Sequence, residues 1–150
     1  MGERNMMQVN FHELNSIKDE KIMFAVIMAK YKDKWIFVKH KDRETWEIPG
    51  GHREENEDIM FTARRELFEE TGAETYSIVP VCIYSVKKDD GESFGQLFYA
   101  EVEIIGALPD YEISQVEFFE TMPKELTYPV IQPKLFNYIK KLKLNMEGVN

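Results

Sequence analysis

Hydrophobic and polar positions divide the chain into blocks of two periodicities. Residues 22–29 form a continuous apolar run, the pattern of a central strand buried on both faces. Lys32, Asp33 and Lys34 turn the chain, and residues 35–39 supply a hairpin partner. Residues 75–86 are again β-rich, interrupted by Pro80; Asp89, Asp90 and Gly91 mark a turn, and residues 94–103 return as a strand. A proline-containing loop then leads to a short strand at residues 116–119. Two blocks follow the helical period instead. Ile59, Ala63 and Leu67 make an i, i+4, i+8 stripe, with Asp58 as N-cap and Gly72 as left-handed C-cap. Leu135, Phe136, Ile139 and Leu142 recur after Pro133, which suits a first helical turn. Residues 1–20 are polar and weakly patterned, read as a short strand or a loose arm.

Strands interrupted by two substantial helices predict an α/β fold, a mixed sheet with both helices packed on it. No repeat or linker divides the 150 residues, so the expectation is one domain over 1–150. A net charge of -8 disfavours a nucleic acid polymer as partner, because backbone affinity needs basic surface. The single cysteine, Cys82, excludes an intramolecular disulfide and suits a reducing compartment. With no basic-then-apolar leader and no run near the ~18 apolar residues of a membrane span, the expectation is a cytoplasmic protein without a membrane partner.

Chemistry concentrates between Gly51 and Ala73, GHREENEDIMFTARRELFEETGA. On the predicted helix Glu66, Glu69 and Glu70 share one face, where like charges cost a few tenths of a kcal/mol per i,i+4 pair (about 0.2–0.5) unless a cation offsets them. Arg64 and Arg65 offset only part. Glutamate-rich helices are usually solvated faces, but here the acids border the apolar stripe, and Trp46-Glu47-Ile48-Pro49-Gly50-Gly51 leads in with an extended run and a turn that can approach a ligand closely. Gly51, Glu57, Arg65, Glu66, Leu67, Glu69, Glu70, Gly72 and Ala73 fill every defined position of the Nudix box, G-x5-E-x7-R-E-U-x-E-E-x-G-U with U aliphatic. The chain therefore resembles the Nudix hydrolases.

That resemblance implies an α/β/α sandwich and metal-dependent hydrolysis of a diphosphate bond in a nucleoside di- or triphosphate derivative. Mg²⁺, with Mn²⁺ as an alternative, is the implied cofactor. Glu66, Glu69 and Glu70 are the implied ligands, with the Gly50 carbonyl; Glu57 is a ligand through water or a partner for Arg65. Arg65 is read as support for Glu57 or Glu69. A general base or second-site ligand is expected from a later loop, with Glu112 chosen, Glu117 and Glu120 in reserve, and Glu69 the remaining candidate within the helix. Lys39 and Lys41 are expected to grip phosphate. His40 is read as a surface or packed imidazole, and Gln132 as a residue able to read a purine edge. Short length and the lack of other subfamily markers resemble MutT-type enzymes, which release nucleoside monophosphate and pyrophosphate. The alternative is a noncatalytic nucleotide-binding or regulatory module, which a complete acidic set argues against.

Overall fold

The computed structural model describes residues 7–149. Residues 1–6 of the expected N-terminal arm lie outside the described residues. The strands are β1 (Gln8–His12), β2 (Ile22–Tyr31), β3 (Lys34–His40), β4 (Trp46–Glu47), β5 (Gly50–His52), β6 (Ala73–Lys88), β7 (Gly91–Ile105) and β8 (Ile113–Phe119). The helices are α1 (Ile59–Thr71) and α2 (Gln132–Val149). One mixed sheet runs β1-β6-β7-β2-β3-β4, with β5 paired to β2 and β8 to β3. Only β2 and β7 among the paired strands are parallel.

Both faces of this sheet are covered, which explains the unbroken apolar run. Ala25, Ile27 and Ala29 of β2 point to the α1 side, where they pack in one cluster with Ile59, Ala63 and Leu67. Met28 points the other way, into a second cluster with Trp35, Phe37, Leu97 and the α2 residues Leu135, Phe136 and Ile139. The period of two along each strand thus sends alternate side chains to alternate helices. Leu67 is fully buried, a placement that contributes about 1.5–3 kcal/mol. Leu142, assigned to the same stripe by spacing, is exposed.

The turns form for local reasons. Lys32 and Asp33 both take positive φ (51° and 67°), so the β2–β3 connection is a two-residue hairpin turn whose twist matches its strands. Pro80 does not interrupt β6. The strand continues through a register shift between Pro80 and Cys82, an irregularity that lets an imino acid sit in a paired strand. Asp58 Oδ1 accepts from the Met60 N–H at 2.8 Å, and Gly72 closes α1 at φ 80°, ψ 12°.

Gly72 N–H donates to Phe68 O, and Gly106 N–H donates to Gly72 O, tying the helix end to the β7 exit. A Cβ at Gly72 would sit 2.8 Å from Ala107 O and 2.9 Å from Gly106 O. Gly72→Ala therefore combines left-handed backbone strain with a backbone clash. The expected cost is about 1–3 kcal/mol in equilibrium urea unfolding, with an unchanged slope.

Candidate active site

The loop between β3 and α1 delivers the chemistry. Ile27 N–H donates to Pro49 O at 2.9 Å, and β5 pairs with β2 in the register Val26↔Gly50, Ala25↔Gly51, Phe24↔His52. Gly50 and Gly51 are thereby fixed against a central strand, directly below α1. A Cβ at Gly51 would meet the Glu66 carboxyl group, so a side chain there would displace that carboxylate from the place it holds over the backbone. Gly50 N–H donates to Glu70 Oε1 at 3.0 Å.

Arg65 organises the helix face. Its Nε donates to Glu57 Oε2 at 2.6 Å and its Nη2 to Glu57 Oε1 at 3.0 Å, a two-pronged pair of the strong, orienting kind. Nη1 donates to Glu66 Oε2 at 2.9 Å and lies 3.5 Å from Glu69 Oε1, and Nη2 also reaches His52 O. Glu57 additionally accepts from Thr62 Oγ1 and the Glu54 N–H. Of the two roles expected for Glu57, the structure displays the partnership with Arg65; both its oxygens accept from these donors, and it does not line the cavity that Glu66 and Glu70 share. Arg53 fixes the same loop by donating to Glu57 O, Asp19 O, Ile22 O and Asp19 Oδ2.

Glu66 and Glu70 line a cavity of about 600 Å³ whose wall also carries apolar side chains, Val26, Ile48 and Leu135 among them. Glu47 and Glu112 line it as well. Glu112 is held by its own carbonyl, which accepts from Lys41 N–H at 2.8 Å just before β8 begins. His40 Nε2 lies 3.2 Å from Glu47 Oε1 and 3.6 Å from Glu70 Oε2, between two buried acids. Neither Glu47 nor His40 was singled out as part of the site by sequence. Their signal exists only in the pairing of Val38 with Glu47, which sets β4 beside the end of β3.

Other expected residues lie elsewhere. Glu69 sits beside Arg65, partly exposed and outside the cavity lining. Lys39 Nζ stacks over the Trp46 ring at 4.5 Å, and Lys41 Nζ pairs with Asp110 at 2.9 Å; neither lysine lines the cavity. Glu117 accepts from Gln115 Nε2 on exposed β8, and it too is absent from the lining. Lys88, from the β6–β7 hairpin, is the lysine that reaches the cavity.

Burial pushes the Glu70 carboxyl up to about 9, with Glu66, Glu47 and Glu112 adding like charge against the Gly50 hydrogen bond. Burial likewise raises Glu66 to about 7, helped by Glu69 and Glu112 and opposed by Arg65. The Arg65 hydrogen bond pulls Glu57 down to about 2. Among the described residues no three His, Cys, Asp or Glu side chains form a ready coordination sphere, since Glu66 faces Arg65 and Glu70 faces Gly50 N–H and His40. The donor set still fits a hard divalent cation. Several carboxylates share a partly desolvated cavity over a glycine backbone, where positive charge would offset both burial and mutual repulsion.

These shifts give a pH dependence of stability for the chelated protein. Glu66 and Glu70 bind protons more tightly folded than unfolded, so their contribution is complete below the ordinary value of 4.5 and is lost as pH rises through about 7 and about 9. Glu57 acts oppositely, contributing above 4.5 and losing its contribution only as pH falls through about 2. Melting in EDTA should therefore give a Tm that falls from about pH 5 to about pH 9, and Glu70→Gln should flatten most of that slope. An equal slope in the variant would remove Glu70 as its source.

Comparison with known proteins gives the context. The family model described as NUDIX domain matches residues 20–136. A Bacillus subtilis (strain 168) protein provisionally named 8-oxo-dGTP diphosphatase YtkD is 27% identical over 139 residues, covering 92% of this chain and 84% of that protein. The Bacillus subtilis pyrophosphohydrolase BsRppH, crystallised in a mutant form, superposes with a TM-score of 0.77 at 24% identity, covering 94% of this chain and 92% of that one. The NUDIX domain of Shewanella oneidensis NrtR, crystallised with ADP ribose, superposes with a TM-score of 0.58 at 16% identity, covering 93% and 94%. With the box glycines, Arg65 and the buried glutamates assembled as described, and with the family model spanning most of its length, the chain belongs to the NUDIX family.

Proposed function

We propose that this chain, as one domain, is a pyrophosphohydrolase that cleaves a phosphoanhydride bond in a nucleoside di- or triphosphate derivative, releasing nucleoside monophosphate and pyrophosphate from a triphosphate. The observation that carries the reading is the buried pair Glu66 and Glu70 over the Gly50–Gly51 backbone, in a cavity whose wall combines these carboxylates with apolar side chains. Carboxylates able to take a cation, beside apolar surface, match a polyphosphate attached to a nucleoside. The curated relative is named for a nucleotide, 8-oxo-dGTP, which supports the same substrate class.

Glu66, Glu70 and the Gly50 carbonyl are the groups that would hold Mg²⁺ or Mn²⁺, with Glu69 beside Arg65 at the edge and Glu57 acting through Arg65. When bound, such a cation supplies positive charge against the phosphate oxygens and makes water a better nucleophile. The chain's own residues do the rest. Arg65 keeps the Glu66 carboxylate in a fixed rotamer by gripping it and Glu57 together. Glu112 presents a carboxylate at the cavity wall from a separate loop, where it can accept a proton from an attacking water. His40 steadies Glu47 and Glu70. Lys88 supports phosphate binding better than Lys39 or Lys41, whose ammonium groups are engaged elsewhere.

The test is hydrolysis of a nucleotide panel with Mg²⁺ or Mn²⁺, scored by monophosphate and pyrophosphate release. Chelation should abolish turnover, and Glu70→Gln should lower kcat by at least ~10²-fold, the scale of losing a group that stabilises the transition state. Glu112→Gln should lower kcat far more than it raises KM, whereas Glu117→Gln should stay near wild type. Nucleotide binding without turnover under every metal condition would instead establish a noncatalytic module.

A further inference from the structure

The lining of the cavity contains a polar group that has no partner among the described residues. Gln132 opens α2, is only 5% exposed and lines the cavity. Its Oε1 is buried without a hydrogen-bond partner among the described residues. Native proteins rarely bury an amide oxygen unpaired, because it loses water and gains nothing in return. Exchanging Oε1 and Nε2 by rotating the amide would still leave an amide atom at that spot. The same cavity is lined by Ile48, Tyr84, Ile131 and Leu135, apolar surface on which a flat ring can pack. Apolar packing alone does not distinguish one base edge from another, whereas an amide does.

A ligand that places anionic groups near Glu66 and Glu70 through a cation, a flat ring among these side chains and an N–H at Oε1 is a nucleotide held by its base. We propose that Gln132 is a specificity-determining residue whose amide oxygen accepts an N–H from the edge of the nucleobase. This rests on the reading of the cavity as a nucleoside polyphosphate site. A base edge that carries a donor beside an acceptor engages both ends of the amide, which is the way Gln discriminates among bases elsewhere. In the absence of ligand the amide is a cost to the fold, and bound base removes it.

Gln132→Met keeps length and volume while removing the polar atoms. Wild type and variant are compared on the best of ATP, GTP, CTP and UTP and on ribose 5′-triphosphate, which has no base. The ratio of kcat/KM for the base-bearing over the base-free substrate should fall about tenfold to a hundredfold in the variant. Without ligand, the Tm of the variant should rise by about 2–4 °C, since a buried unpaired acceptor has been removed. An unchanged ratio would overturn the proposal, as would equal loss on both substrates. If wild type turns over nothing, the hydrolase reading fails on its own. The proposal is then decided by thermal stabilisation with the four nucleoside monophosphates against ribose 5-phosphate: stabilisation that needs the base and is lost in Gln132→Met supports it, and stabilisation equal in both proteins overturns it.

Discussion

Two carboxylates buried one helical turn apart are the constraint around which this protein is arranged. Glu66 and Glu70 lie on α1 at 9% and 6% exposure, each facing the Gly50–Gly51 backbone, with one guanidinium to share among Glu54, Glu57, Glu66 and Glu69. Left to itself such a helix face would be solvated or replaced by apolar residues, because desolvating carboxylates costs more than a single arginine returns. The protein instead invests in it. Arg65 uses both prongs on Glu57 to stay in place, Arg53 fixes the loop that carries Glu57, and glycine at position 51 leaves space that any side chain would take from Glu66.

The fold supplies what the helix cannot. β2 is paired on one side with parallel β7 and on the other with β5 and β3, so the strand beneath the glycines is locked from both edges. Alternation along β2 and β3 sends one set of apolar side chains to α1 and the other to α2, giving two clusters with the cavity opening beside them. The cavity draws Glu66 and Glu70 from α1, Gln132 and Leu135 from α2, and Tyr84 and Lys88 from β6. The two periodicities of the sequence therefore determine not only the layers but where charge meets apolar surface.

The elements were legible where local chemistry was unambiguous. Asp58, Gly72, the Ile59-Ala63-Leu67 stripe and the run at residues 22–29 all dictate their structure within one or two turns of chain, and the fold has them as expected. Helical spacing put Glu66, Glu69 and Glu70 on one face, and in the fold Glu66 and Glu70 are buried while Glu69 is partly exposed beside Arg65. Long-range pairing was not legible. Lys39 and Lys41 were expected to grip phosphate, yet a neighbouring Trp46 ring and Asp110, 69 residues on, engage them, while Lys88 arrives from a hairpin that sequence reads only as a turn. His40 and Glu47 meet through the β3–β4 register, which no local pattern displays. Pro80 was read as an interruption because proline cannot donate to a ladder, but a register shift absorbed it.

The central claim is that burial and like charge hold Glu66 and Glu70 in a state that a divalent cation relieves. Calorimetric titration of the protein with Mg²⁺ near pH 7.5, in two buffers of different ionisation enthalpy, measures the protons released on binding. With Glu70 raised to about 9 and Glu66 to about 7, cation binding must displace protons from these carboxylates, so the account predicts buffer-dependent heats equal to roughly one proton released per protein, reduced in Glu70→Gln. Binding with no proton release, or release unchanged in Glu70→Gln, would contradict it.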